Sequence, residues 1–285
     1  MKQIALVLLA VTLASLPRHA QAQASEPSYL QVRAVPHGRV QSVAYTSTAL
    51  GTERKMVVYT PPGYDTSATR YPVLYLLHGA GSVETSWTER GKAHVILDNL
   101  LAAGKMAPMV VVMPFGYAVA RTGTAGRADP AENKMQRDGF TRDLIQDVIP
   151  RVDRTLRVHA DREHRAIAGL SLGGAQSLAI GLTHPELFSR VAAFSSAMGA
   201  ATNPDAGGFD FETLLATNSA RLNSQLTMLW MGCGTEDTLF ASNQAFADQL
   251  AKHKVEHTFR VTGGAHTYAV WQRYLHEVAP RLFQD

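Results

Sequence analysis

HRAIAGLSLGGAQSLAIGL, running from His164 to Leu182, decides the fold. Arg165 to Leu170 is an apolar run too short for a stable helix and reads as a buried strand. Gly169-Leu170-Ser171-Leu172-Gly173 fits G-x-S-x-G, with Gly174 behind it, and Ala175 to Leu182 continues in good helix formers. A serine thrown out on a tight strand-to-helix turn has neighbours almost in contact, and flanking glycines relieve that crowding. A helix that starts at the serine aims free N–H groups and a positive dipole end at a developing oxyanion. Glycine-rich loops match the five-residue pattern by chance. The strand before it and the helix after it are what separate this match from such loops.

Working outward, the same strand–helix alternation fills the chain from Tyr71 onward. Tyr71 to Leu77 (YPVLYLL) and Pro108 to Met113 (PMVVVM) are continuous apolar runs, as expected of strands covered on both faces. Arg190 to Ser195, Leu226 to Met231 and Glu256 to Val261 are further strands. Gly91 to Ala103, Phe140 to Arg157, Ser242 to Lys252 and His266 to Leu282 read as helices, with Pro150 interrupting the second. Val40 to Ser47 and Arg54 to Thr60 alternate as an N-terminal hairpin. Gly116 to Asn133 and Met198 to Phe211 lack periodicity and read as irregular stretches. Ser25 to Arg39 reads as a loosely held arm. The fold class is therefore α/β: a mostly parallel, doubly wound sheet with helices on both faces and an antiparallel N-terminal edge. In such sheets the site lies at the carboxyl ends of the strands.

The 285 residues are 46% hydrophobic and 18% charged, the composition of a globular chain. Met1 to Ala24 has the form of a secretory signal: Lys2, an apolar run from Ile4 to Leu16, and small-x-small cleavage sites after Ala22 or Ala24. That run is too short to span a bilayer. The expectation is a signal peptide over 1–24, a single domain over 25–285, secreted or periplasmic localisation, and no membrane association after signal removal. Without Lys2 and Arg18 the chain carries 25 basic against 24 acidic residues, so no nucleic-acid partner is indicated. Cys233 is the only cysteine, which excludes internal disulfides and thiolate-rich metal sites. No signal of oligomeric state is present.

A serine hydroxyl is a weak nucleophile that needs a base, and the base needs an acid to fix its tautomer. Of eleven histidines, His266 is the candidate base. It follows Thr262-Gly263-Gly264-Ala265, directly after the last strand, where a glycine-rich turn lets an imidazole project over the sheet edge. His78 precedes the nucleophile, at the end of the YPVLYLL strand. The acid is expected after the preceding strand, where Glu236 and Asp237 compete. Asp237 is preferred because it lies deeper in its loop, before Leu239 and Phe240. The oxyanion hole is assigned to the backbone N–H of Leu172 and that of Ala80, with Gly79 the alternative. Trp87 and Trp271, with Phe115, Tyr117 and Tyr268, are aromatics for an acyl pocket or for ordinary core packing. His253-Lys254-Val255-Glu256-His257 matches H-x-x-E-H, but Lys254-Val255 reads as a helix-to-strand connection, so no metal site is expected. No cofactor is called for.

Taken together these residues resemble the esterase D family of α/β-hydrolases, which includes carbohydrate esterases of the feruloyl and acetyl-xylan type, enterochelin-type esterases and mycolyltransferases. The resemblance runs through Val57 to Tyr64, Tyr71 to Gly79, Trp87, Asp143 to Pro150, Gly169 to Gly174, Gly234 to Asp237 and Gly264 to Trp271. It implies Ser171 as nucleophile, Asp237 as acid and His266 as base. It also implies a secreted hydrolase releasing feruloyl or acetyl groups from plant cell-wall polysaccharide, its partner an ester that is polysaccharide-linked or a small aryl ester. A siderophore esterase or an acyltransferase on the same machinery is the alternative. A non-enzymatic binding protein is disfavoured by the intact Ser, acid and His set.

Overall fold

The computed structural model describes residues 26–118, 129–201 and 204–284. The proposed signal segment and most of the 116–133 stretch therefore lie outside the described residues. The eight strands are β1 (Arg39–Ser47), β2 (Thr52–Thr60), β3 (Val73–Leu77), β4 (Val110–Pro114), β5 (Arg165–Leu170), β6 (Arg190–Phe194), β7 (Met228–Gly234) and β8 (Thr258–Thr262). They form one sheet in the order β1-β2-β4-β3-β5-β6-β7-β8. β1 and β2 pair antiparallel, as does β2 with β4, and every later pair is parallel. The chain runs from β3 outward to β4 on one side and from β5 outward to β6 on the other, so the crevice between the carboxyl ends of β3 and β5 is where a ligand is expected in such a sheet.

The helices are α1 (Ser86–Glu89), α2 (Ala93–Ala102), α3 (Pro130–Asp143), α4 (Ile149–Thr155), α5 (Leu172–Thr183), α6 (Met198–Ala201), α7 (Phe211–Gln225), α8 (Phe240–Lys252) and α9 (Tyr268–Val278). They divide the core in two. Val73, Tyr75 and Leu77 face Phe140, Leu178, Leu215 and Phe246 from α3, α5, α7 and α8. Leu74 and Leu76 face Trp87, Ile96, Val270 and Tyr274 from α1, α2 and α9. All five β3 residues are buried, which is why that strand reads as an unbroken apolar run.

Three expectations are corrected. From Glu26 onward the arm is not loose: Leu30 is buried, the Asn99 amide donates to Tyr29 O at 3.1 Å and Gln31 O at 2.9 Å, and Lys92 pairs with Glu26 at 2.5 Å. Residues 130–133, expected to be irregular, are helical, and the Asp129 side chain caps α3 by accepting from Ala131 N. Helix then runs from Pro130, well before Phe140. Pro150 cannot donate an N–H, and the preceding residues Leu144–Val148 take a wider π-helical turn. Finally, α7 was not expected. Its Thr-, Asn- and Ser-rich sequence is a weak helix former, and it is held by an Asp210 cap on Thr213 N and by Phe211, Leu215 and Leu222 buried along one stripe.

A buried charge cluster ties the hairpin to the sheet's carboxyl edge. Arg54 on β2 and Asp143 at the end of α3 pair at 3.0 Å with side chains 5% and 0% exposed. Tyr45 donates to Asp143 at 2.8 Å. The same guanidinium donates to Phe115 O at 2.6 Å, fixing the segment that follows β4.

Candidate active site

The elbow is formed as the sequence predicts. Ser171 follows β5 and is the N-cap residue of α5, with φ 54° and ψ −116°, a conformation L residues rarely adopt. Such a residue costs on the order of 1–3 kcal/mol and persists only when its surroundings over-determine it. Here Ser171 N donates to Phe194 O at 2.8 Å, while Ser171 O accepts from Ala175 N at 3.1 Å and Ala197 N at 2.9 Å. The glycine requirement is steric: a Cβ at Gly173 would stand 2.5 Å from His78 O. The turn thus packs the first turn of α5 directly against the end of β3.

The three expected side chains converge. His266 Nε2 lies 3.0 Å from Ser171 Oγ. His266 Nδ1 lies 2.9 Å from Asp237 Oδ2 and 3.1 Å from Oδ1. The Asp237 side chain is fully buried, whereas that of His266 is 31% exposed. Asp237 Oδ1 also accepts from Leu239 N at 2.8 Å, which fixes the carboxylate. A carboxylate on Nδ1 holds the proton there and leaves the Nε2 lone pair facing the serine hydroxyl. The imidazole stands edge-on to Trp271, with ring centroids 4.8 Å apart.

Glu236, the rival acid, faces elsewhere. Its Oε2 accepts from Gly264 N and its Oε1 from Thr235 at 2.8 Å. It clasps the loop after β7 to the loop carrying His266. Those bonds hold its carboxyl below the usual glutamate range. Cys233, at the end of β7, is buried, and its thiol is pushed up to about 12 mainly by that burial. It is an inert packing residue rather than a nucleophile.

The oxyanion candidates lie on two neighbouring elements. Leu172 opens α5, and Gly79 and Ala80 follow β3. Gly79 is buried and Ala80 exposed. The aromatic expectations need correction. Trp87 is completely buried; its indole donates to Leu77 O at 2.9 Å, and its ring packs edge-on to Phe194 and Tyr268. It is a core residue with no surface left for a ligand. Trp271 is 6% exposed and packs on His266, so it supports the imidazole instead of lining a pocket.

The cavity beside the nucleophile takes only Tyr117 from the expected aromatics and is otherwise built from other residues. About 170 Å³ of space lies between α3, α5 and the Gly207–Phe209 loop, starting at Leu172 and lined by Tyr117, Ala175, Gln176, Ala179 and Phe209, with Glu132 and Arg137 also on its wall. Sequence reasoning missed Gln176. The available signal was one long polar side chain on an otherwise apolar helix, only 9% exposed in the structure.

Neither metal pattern lies at this site. His253 pairs with Glu212, His257 Nδ1 contacts Val255 O, and Glu256 N donates to Asn223, so the H-x-x-E-H residues do not converge. Among the described residues one group, His159, Asp161 and His164, brings ligand-type atoms within 4.8 Å of one another. It sits before β5, at the opposite end of the sheet from Ser171, and its close packing is an Asp161–His164 pair at 2.6 Å beside stacked imidazoles.

This sheet order, with a serine on a strained elbow after β5 and a histidine and aspartate delivered by the loops after β8 and β7, defines an α/β-hydrolase. The Esterase family model matches residues 47–282, and the chain belongs to that family. A bifunctional endo-1,4-β-xylanase/feruloyl esterase of Xylanibacter ruminicola is 32% identical over 262 residues, covering 90% of this chain and 33% of that protein. The chain thus spans about a third of that curated relative. The structure of a ferulic acid esterase from Anaeromyces mucronatus, bound to ferulic acid, superposes with a TM-score of 0.80 at 28% identity, covering 90% of this chain and 96% of that one. An enterobactin esterase from Shigella flexneri shares the fold at a TM-score of 0.65 and 22% identity, covering 89% and 61% respectively.

Proposed function

We propose that this chain is an exported feruloyl-type esterase that works through an acyl-enzyme on Ser171. The observation that carries the reading is the Ser171–His266–Asp237 hydrogen-bond relay, at 3.0 and 2.9 Å, opening beside an apolar cavity. Ser171 Oγ attacks the ester carbonyl while His266 Nε2 takes its proton. Asp237 stabilises the imidazolium that forms. The oxyanion is met by the N–H groups of Leu172 and Ala80, the first reinforced by the dipole of α5. The tetrahedral intermediate collapses, Nε2–H protonates the departing alcohol, and the acyl group stays on Ser171. His266 then deprotonates a water, which attacks the acyl-enzyme; a second tetrahedral collapse returns the proton to Ser171 and releases the acid.

The acyl group lies in the cavity that begins at Leu172. An acetyl group would leave most of 170 Å³ unfilled, whereas a planar hydroxycinnamoyl group suits walls made of Tyr117, Phe209 and small alanines. The alcohol is a sugar of plant cell-wall polysaccharide, in keeping with the feruloyl esterase relatives and with the secretory character of residues 1–24. A substrate panel tests this. Methyl ferulate is expected to give a higher kcat/KM than a methyl ester of acetate, and feruloylated xylan to release ferulate faster than acetylated xylan releases acetate. Preference for acetyl on both scaffolds would overturn the assignment of the acyl group.

A further inference from the structure

We propose that His78 is a positioning residue for the oxyanion hole, the near end of a hydrogen-bond chain Gln176–Gly116–His78–Gly79 that sets the direction of the Ala80 N–H. The inference rests on the esterase reading above. It starts from a tautomer. Gly116 N can only donate, and it donates to His78 Nε2 at 2.9 Å. Nε2 therefore carries a lone pair, and the neutral ring carries its proton on Nδ1. That Nδ1 lies 2.9 Å from Gly79 O, so Nδ1–H donates to it. Ser82 N adds a weaker donation to the same oxygen at 3.2 Å.

Gly79 C=O and Ala80 N–H belong to one rigid peptide plane, trans like every other described here, and point in opposite directions. Holding the carbonyl on the His78 side therefore turns the Ala80 N–H to the other side. Gly79 stands against the nucleophile: a Cβ there would be 2.6 Å from Leu170 Cδ1 and 3.2 Å from Ser171 Cβ. The peptide that His78 orients is thus the one next to Ser171.

The far end of the chain is fixed twice. Gln176 Nε2, on α5 one turn after the elbow, donates to Gly116 O at 2.8 Å. Arg54 holds the adjacent Phe115 O at 2.6 Å. Gly116 is gripped on both sides, so its N–H presents a fixed donor to His78. The imidazole is 2% exposed and packs beside Phe115 and Tyr117, at centroid distances of 5.7 and 5.9 Å. Burial lowers its pKa and keeps it neutral, despite Glu84 nearby and in concert with the Arg54 charge.

Two isosteric variants separate the bonds. In His78→Asn the amide nitrogen occupies the Nδ1 position and donates to Gly79 O, while the bond to Gly116 is lost. In His78→Gln the amide oxygen occupies the Nε2 position and accepts from Gly116 N, while the bond to Gly79 is lost. Turnover of p-nitrophenyl acetate by the full chain is measured per active site titrated with a fluorophosphonate, beside thermal midpoints. H78Q is expected to lose about 10²-fold in kcat with KM held, the scale of one oxyanion donor. H78N is expected to be at least about tenfold faster than H78Q on the same scale. Equal kcat for the two variants, or a greater loss in H78N, overturns the proposal. So does a common fall in midpoint with kcat unchanged, because that is packing alone. If H78N does not fold, Gln176→Leu probes the far end. A lower kcat at constant KM supports the chain, and an unchanged kcat overturns it. Wild-type turnover that depends on Ser171 certifies the esterase reading separately.

Discussion

Replacing Ser171 by alanine is expected to lower kcat by about 10⁶-fold, with KM for a short aryl ester nearly unchanged. Among the described residues the Ser171 hydroxyl is the nucleophile that faces the base, whereas the cavity and the backbone donors remain to bind substrate. His266→Ala is expected to cost about as much, because without an acceptor 3.0 Å from Oγ the hydroxyl cannot shed its proton during attack. The double variant should be no slower than either single one, since the two side chains act as a unit. Steady-state kinetics on all three checks this. A single Ser171→Ala loss below about a hundredfold, or losses that multiply in the double variant, would show that the relay is not the reacting machinery.

Asp237→Asn is expected to lower kcat by about 10⁴-fold without unfolding the chain. The reason is a tautomer, not a missing contact. The asparagine amide would present an N–H to His266 Nδ1, forcing the ring proton onto Nε2, where it would donate to Ser171 in place of accepting. Glu236→Gln is expected to cost at most about tenfold, the scale of one exposed hydrogen bond, because its oxygen can still accept from Gly264 N. The two adjacent carboxylates thus separate by about a thousandfold or more. A larger loss for E236Q than for D237N would reassign the acid. Burial decides the difference: Asp237 is enclosed and held by Leu239 N, while Glu236 sits in solvent at the loop surface.

The parts of this site that the sequence disclosed are those set by local pattern. Gly169 to Gly174 can hardly be anything but a crowded turn between a buried strand and a helix, and the parallel sheet delivers each strand's carboxyl end to one rim. Ser171, Asp237 and His266 follow from that rim and from glycine-rich punctuation. Trp87 could not be placed the same way. Its spacing after His78 is compatible with a pocket wall or with the core, and only packing against Leu77 O, Phe194 and Tyr268 puts it inside.

Helix α7 shows the opposite failure. Its propensities are poor, and tertiary burial of Phe211, Leu215 and Leu222 overrides them. The Gln176–Gly116–His78 chain joins residues 60 and 38 positions apart, through backbone groups that carry no sequence signature. A polar side chain on the apolar α5 was the one hint, and its partner became visible only when β4 and β5 were placed on either side of β3.

The central claim is that Ser171 carries the acyl group. Its most direct test is peptide mapping by mass spectrometry after treatment with a serine-selective fluorophosphonate and, separately, after rapid acid quench during turnover of methyl ferulate. A single adduct on the peptide containing Ser171 is predicted in both cases, phosphonyl in the first and feruloyl in the second, with the phosphonyl adduct strongly slowed in His266→Ala. Labelling at another residue, or turnover of ester by a chain whose Ser171 stays unmodified throughout, would contradict it.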